Sequence, residues 1–285
     1  MEAIDLLPCL NIEKVMIYKI KLFSNDTIQA KKIATEVEQK LIQNGFKIVD
    51  KNPDLAIAIG GDGSFLRMMK KCNFNSDIYY IGINAGTLGF LQEVKKQEVD
   101  SFIEAIKNNY FKVDKIGIQE TKVITKDSQS IFFSLNEIVI RDQKLNTLKM
   151  DIKIEDTILE RAIGDGVLIS TSIGSTAYNL SYGGAIVYNT LHTLQITPIA
   201  PLNNKAYRNL LNSMIVPEDK SVTMIPVEDK NSIIITVDGE NKIYKDVYKI
   251  ETQVKDKRIQ CLRLLGYDFT KIVNEKFLQD DKKND

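Results

Sequence analysis

The stretch "LAIAIGGDGSFLRMMKK", Leu55 to Lys71, puts a carboxylate, Asp62, inside a glycine turn between an apolar strand pattern and a helical one. Helix N-termini present free N–H groups and favour anions, and glycines let a ligand approach the backbone closely. A carboxylate there repels phosphate unless it has its own task. Two readings therefore stand: Asp62 and Ser64 cap the helix that follows, or Asp62 acts on something bound in the turn. Neither G-x-x-x-x-G-K-[ST] nor G-x-G-x-x-G occurs in the chain, so neither standard phosphate loop applies.

Three other segments carry chemistry. "GINAGTLGFL", Gly82 to Leu91, repeats the strand, glycine turn and helix design. "SLNEIVI" sets Asn136 and Glu137 side by side in an apolar strand pattern. Adjacent strand residues face opposite ways, so at least one of the two meets a packed layer or a pocket and needs a polar partner. "IGDGVLISTSIGSTAYNLSYGG", Ile163 to Gly184, combines a second G-D-G, a cluster of hydroxyls and Tyr178. Such a segment suits a nucleoside; a Ser/Thr-rich turn around a core tyrosine is the plain alternative.

The elements that must position these residues follow from periodicity. "KVMIYKI", "FKIVD", "LAIAIGG" and "IYYIGIN" read as strands alternating with helical patterns. The first helix is expected to be capped by Asn25 or Asp26 and stopped at Gly45. Alternation of this kind implies a parallel sheet with ligand chemistry at the C-terminal ends of its strands. After about Asn109 the texture becomes short, β-branched runs with turns between them, the pattern of an antiparallel sandwich. The expected division is an α/β domain over residues 1–109, completed by about 262–285, and a β-rich domain over 110–261. The closing charged residues are expected to fray.

From Gly166 to Asn204 there is no Asp, Glu, Lys or Arg, although 27% of the 285 residues are charged. Polar residues interrupt the stretch too often for a membrane span. A buried interface or a pocket for a polar organic ligand fits it, and so does a polar-rich core.

Lys plus Arg and Asp plus Glu both total 38, which gives no electrostatic case for nucleic acid or an anionic membrane. Cys9, Cys72 and Cys261 are unpaired by spacing, as in a reducing compartment. One histidine, His192, excludes a two-histidine zinc site within the chain. With no signal-peptide pattern and no apolar run of spanning length, a cytoplasmic location is expected.

Taken in order, the GGDG turn, the N-x-G-x-L-G-F-L loop opened by Asn84, the N-E pair and the G-D-G…G-S-T-A-Y…G-G segment resemble the NAD kinase family, over roughly Ile57 to Gly184. GGDG alone is shared with diacylglycerol and sphingosine kinases; the N-E and G-S-T-A-Y elements narrow the resemblance. It implies a Rossmann-like N-terminal α/β domain, a C-terminal β-sandwich-type domain, and a closing "LRLLGYDFTKIVNEKF" that packs back on the first domain. It also implies transfer of the γ-phosphoryl of ATP, or of polyphosphate, to the 2′-hydroxyl of the adenosine ribose of NAD. Mg²⁺ would arrive with ATP rather than on a protein metal site.

By the same resemblance Asp62 is the catalytic base, with Gly61 and Gly63 beside it and Arg67 meeting phosphate. Asn136 and Glu137 contact the adenosine part, and Asp165 the nicotinamide side, partly across a subunit interface. Ile173, Thr176, Ala177, Tyr178, Ser181 and Ala200 fall in the nucleotide pocket, and a homodimer or homotetramer through the β-rich domain is implied. Ser172 and Ile173 depart from the pattern, as does Ile163, for which Arg161 is the nearby basic substitute. The rival readings are a lipid kinase of the same superfamily and an NAD(P)-binding regulator without catalysis.

Overall fold

The structure is a computed structural model that describes residues 15–86, 89–228 and 230–279. Cys9, Lys14 of the first expected strand, Thr87 and Leu88 of the second glycine loop, and the charged tail beyond Gln279 lie outside the described residues. The chain divides into two compact units, residues 1–115 with 259–285, and residues 116–258.

In chain order the first unit holds β1 (Lys19–Ser24), α1 (Ile28–Gln43), β2 (Lys47–Ile48), β3 (Leu55–Gly60), α2 (Asp62–Lys71), β4 (Tyr79–Asn84) and α3 (Val99–Asn108). The strands lie parallel in the order β2-β1-β3-β4, with Ile20 opposite Leu55 and Gly60 opposite Asn84. Every residue of β3 is buried, which explains why "LAIAIG" is apolar without alternation: both of its faces are covered. Leu55, Ile57 and Ile59 join the α1 and α3 side chains Ile33, Val37, Phe102 and Ile106 in one core. Ala56 and Ala58 alternate to the other face.

Three expected boundaries move. β1 begins at Lys19 rather than Lys14; the Asp54 carboxylate accepts from the N–H groups of Tyr18 and Lys19 and so organises the strand's start. The cap of α1 is Thr27, whose hydroxyl accepts from Ala30 N–H, while Asn25 accepts from the N–H and hydroxyl of Thr27. Asn25 thus supports the cap from one step outside it. Only Lys47 and Ile48 of "FKIVD" are strand. Gly45, with φ +88, follows α1 where a left-handed residue ends a helix.

The second unit is built from β5 (Phe111–Thr125), β6 (Gln129–Ser134), β7 (Glu137–Asp142), β8 (Leu148–Ile154), β9 (Thr157–Gly164), β10 (Gly166–Thr171), α4 (Tyr178–Ser181), β11 (Thr193–Ile199), β12 (Met214–Pro217), β13 (Val222–Pro226), β14 (Ser232–Val237), β15 (Glu240–Lys245) and β16 (Val247–Leu264). One sheet contains β5 and β6 together with β16-β13-β8-β9; the other runs β12-β11-β10-β7-β14-β15, antiparallel throughout. Their inner faces share a core: Met150, Val222, Met224 and Ile250 from the first, Ile138, Ile169, Ile196 and Ile235 from the second. This is a β-sandwich.

β5 and β16 each run across the division between units. The end of β16 pairs parallel with β4, Gln260 opposite Tyr79 and Cys261 opposite Tyr80. The chain then closes with α5 (Phe269–Phe277), capped by Asp268, which accepts from the N–H groups of Thr270 and Lys271. Phe269 and Phe277 set their rings 6.1 and 5.4 Å from that of Phe90. The C-terminal segment therefore packs back on the N-terminal α/β unit, as the resemblance implied.

Candidate active site

In the first unit the ends of β3 and β4 gather Gly61, Asp62, Gly63, Arg67 and Asn84. α2 begins at Asp62 itself, and Gly61 caps it by extended backbone alone, without a side-chain hydrogen bond. The capping reading of Asp62 and Ser64 therefore fails. Instead the Asp62 carboxylate turns to the loop after β4, where Oδ2 accepts from Phe90 N–H at 3.0 Å and Oδ1 from Leu91 N–H at 2.9 Å. A carboxylate has about four lone-pair sites, so each oxygen keeps one for a further proton or donor.

The surroundings of Asp62 are braced on each side. Gln92, buried, donates from Nε2 to the Gly61 carbonyl at 2.9 Å. Asn84 Oδ1 accepts from Gly86 N–H at 2.8 Å. Arg67 Nη2 donates to Ser64 Oγ at 3.2 Å, so its guanidinium lies along the first turns of α2. Lys276 of α5 brings its ammonium within 4.0 Å of Asp62 Oδ2.

Glu93, next in the chain after Gln92, joins an ion cluster around the buried Arg263. Arg263 Nη1 donates to Glu93 Oε2 at 3.1 Å and its Nε to Asp114 Oδ2 at 2.9 Å, while Glu93 also accepts from Leu264 N–H. Burial pushes the Glu93 carboxyl upward against the pull of Arg263. Residues 90–93 are thus fastened one by one, to Asp62, to Gly61 and to the strand that leads to α5.

In the second unit Asn136 and Glu137 are buried, but only Glu137 is in the strand; Asn136 sits in a bend before β7. The cause is Asp238 in the turn between β14 and β15. Its carboxylate accepts from the N–H groups of Leu135, Asn136 and Glu137 at 2.9, 2.9 and 3.3 Å. Asn136 carbonyl accepts from Thr171 N–H, and a Cβ on Gly174 would fall 2.1 Å from that same carbonyl oxygen, so only glycine allows the approach.

The Glu137 carboxyl accepts from Tyr178 N–H, and its Oε2 is buried without a hydrogen-bond partner. Burial, with the Asp238 charge adding to it, pushes Glu137 up to about 8. At neutral pH it is thus largely a protonated acid, able to donate as well as accept. Tyr178 and Tyr182 meet edge to face at 4.8 Å with hydroxyls 2.8 Å apart, and Arg141 donates to both.

The charge-free segment resolves into two roles. Its buried polar residues pair among themselves: Thr197 donates to Asn179 at 2.6 Å, Asn179 to the Ser175 carbonyl, and Gln195 exchanges two bonds with the Ala185 backbone. Those groups are a polar core. Tyr178 and Ser181 remain exposed, with Thr176 and Ala177 partly so. Ile173 and Thr176 form a 3₁₀ turn at residues 173–176. Asp165 is exposed, its N–H bonded to the Ile199 carbonyl, and Ala200 beside it has φ +45. Arg161 is committed to Asp151 by two hydrogen bonds at 2.7 and 3.0 Å, and Ile163 is buried, so Arg161 does not replace a basic residue there.

Sequence reasoning passed over Gln92, Asp238, Arg141 and Lys276. The D-G of "VDGE" signalled a hairpin turn, but nothing local showed what its carboxylate holds. Among the described residues no group of three or more His, Cys, Asp or Glu side chains is placed to hold a metal ion, and no helix is long and apolar enough to cross a membrane.

Two family models match the chain: the ATP-NAD kinase N-terminal domain over residues 10–111 and the ATP-NAD kinase C-terminal domain over residues 135–257. An NAD kinase from Finegoldia magna is 41% identical over 210 residues, covering 72% of this chain and 77% of that one. The chain belongs to the NAD kinase family.

An NAD kinase from Streptococcus gordonii is 35% identical over 243 residues, 85% of this chain and 88% of its own. Among solved structures, a yeast NADH kinase complexed with NADH superposes with a TM-score of 0.80 at 20% identity, over 94% of this chain and 90% of that one. An NAD kinase from Archaeoglobus fulgidus in complex with ATP gives 0.70 at 20% identity, over 87% and 94%. These two share the fold. Membership of the NAD kinase family makes the chain a phosphotransferase and leaves the lipid-kinase and regulator readings without support.

Proposed function

We propose that the chain transfers the γ-phosphoryl group of ATP to the 2′-hydroxyl of the adenosine ribose of NAD, with Asp62 as the base; polyphosphate is the second donor to test. The observation that carries this reading is that Asp62 caps nothing. Its carboxylate is held by two backbone N–H groups at a glycine turn whose helix points free N–H groups outward.

Phosphoryl transfer is mostly positioning and charge neutralisation. Asp62 orients the hydroxyl and accepts its proton late, as the bond to phosphorus forms. Gly61 and Gly63 admit the donor phosphates to the helix N-terminus, and Arg67 meets them. Asn136, the protonated Glu137, Thr176, Ala177, Tyr178 and Ser181 bind adenosine; Ile173, Asp165 and Ala200 bind the remainder of the dinucleotide. Magnesium belongs to the donor, as a complex with the phosphates of ATP, and is part of the substrate.

The test is one coupled assay: NAD with MgATP, then NAD with polyphosphate, reading NADP enzymatically. Formation of NADP with neither donor overturns the reading. We place the reaction in the cytoplasm, in line with the free thiols of Cys72 and Cys261. We also propose a homodimer or homotetramer through the β-rich unit, supported by the exposed Ile186, Leu191, Leu211 and Ile215. A monomer in sedimentation equilibrium at micromolar concentration would exclude it.

A further inference from the structure

We infer that Lys276 is a further catalytic residue, whose ammonium contacts the phosphoryl group in transit; this rests on the phosphoryl-transfer reading above. In that step a bond forms between the ribose 2′-oxygen and the γ-phosphorus. The bond from that phosphorus to the β–γ bridging oxygen breaks, ADP leaves with the electron pair, and the hydroxyl proton passes to Asp62. Negative charge lies on the oxygens of the moving group throughout, directly beside a carboxylate. A fixed cation at that point stabilises the transition state more than the ground state.

Lys276 supplies it from the far end of the chain. Its Nζ is 4.0 Å from Asp62 Oδ2. That distance makes an ion pair and not a hydrogen bond, so Asp62 occupies none of the three ammonium N–H donors. The position is built. α5 docks through Phe269 and Phe277 on the ring of Phe90, and the Lys276 ammonium lies over that ring, 5.0 Å from its centroid. Phe90 in turn donates its N–H to Asp62. One residue therefore ties the ammonium and the carboxylate together. Arg67, the cation on the turn itself, is bonded along its own helix to Ser64, which leaves the side of Asp62 facing α5 to Lys276.

A lysine that only docked α5 through Phe90 would give the same cation–π contact, so the test must separate the two. The full chain is assayed as wild type, Lys276→Met, Lys276→Arg and Phe277→Leu, with kcat, KM for NAD and Tm measured for each, and tripolyphosphate binding measured by calorimetry. Methionine should lower kcat about 100-fold, with KM for NAD and Tm unchanged, and should weaken tripolyphosphate binding; arginine should restore most of both. Phe277→Leu should lower Tm without a comparable loss of kcat.

Unchanged kcat in Lys276→Met overturns the assignment, as does a loss of activity that follows Tm in step with Phe277→Leu. If the wild type forms no NADP, the proposed reaction fails. The phosphate contact then stands if tripolyphosphate binding still depends on Lys276, and falls if it does not.

Discussion

The Cβ that Gly89 lacks would lie 2.1 Å from Asp62 Oδ1 and 2.7 Å from its carboxyl carbon. A Cβ does not sit that close to an atom it is not bonded to, so an added methyl group must displace either the loop or the carboxylate. We expect Gly89→Ala to fold, with a stability loss of about 1–3 kcal/mol. Its kcat should fall far more than its KM for NAD changes. Steady-state kinetics beside a urea titration checks this; a variant with wild-type kcat would mean that the Asp62 geometry is not needed for turnover.

Asp62→Asn tests the base itself. The amide oxygen can still accept from Phe90 or Leu91, but its NH₂ faces the other N–H and cannot accept from it. We expect NAD binding and the cooperative unfolding transition to be retained, and turnover to fall about 10²–10⁴-fold. Near-normal turnover would remove Asp62 from the role of base.

Glu137 makes the protein's stability depend on pH in a stated direction. Its native carboxyl is pushed up to about 8 from 4.5, so the folded state keeps a proton that the unfolded chain gives up. The contribution is fully present below pH ~4.5, is lost as pH rises towards ~8, and changes no further above that. Glu137→Gln is neutral throughout. The stability difference between variant and wild type should therefore grow in the variant's favour across this window, by on the order of a few kcal/mol. Urea unfolding at acidic, neutral and mildly alkaline pH measures it, and a constant difference would show that Glu137 ionises normally.

Arg263→Met should be costly. The side chains of Glu93 and Arg263 are both buried, and removing one partner of a buried pair costs about 3–5 kcal/mol because the other charge is stranded. Adding Glu93→Gln to Arg263→Met should recover part of the loss. Chemical denaturation of the wild type and both variants is the measurement; equal stability of the single-site and double-site variants would contradict the stranded-charge account.

The parts of the fold legible in the sequence are those with local signals. "LAIAIG" shows its burial on both faces, and the glycines that follow mark the strand's end. The sandwich shows in its short β-branched runs. The α1 cap lies one residue past Asp26 and two past Asn25; all three of Asn25, Asp26 and Thr27 are good capping residues, and only the hydrogen bond from Ala30 N–H to the Thr27 hydroxyl decides among them.

What the site residues do was less legible, since their partners are distant in the chain. Asp62 bonds backbone 28 and 29 residues away. Asp238 bends the Asn136 backbone from 102 residues away, which broke the strand alternation expected of "SLNEIVI". The absence of charge between Gly166 and Asn204 marked the right segment, but composition could not divide its hydroxyls and amides between a ligand face and an internal network.

That internal network has a consequence for ionic strength. Ion pairs at the surface, such as Lys40 with Asp100, weaken as salt rises, with screening over about 10 Å at 0.1 M. The bonds that Ser175, Asn179, Gln195 and Thr197 make with one another and with the Ala185 and Val187 carbonyls join neutral groups and lie in the interior. Salt does not reach or screen them. A cell that concentrates or dilutes its ions will thus alter how strongly charged substrates are drawn to the enzyme, while the turn that carries Tyr178 keeps its shape.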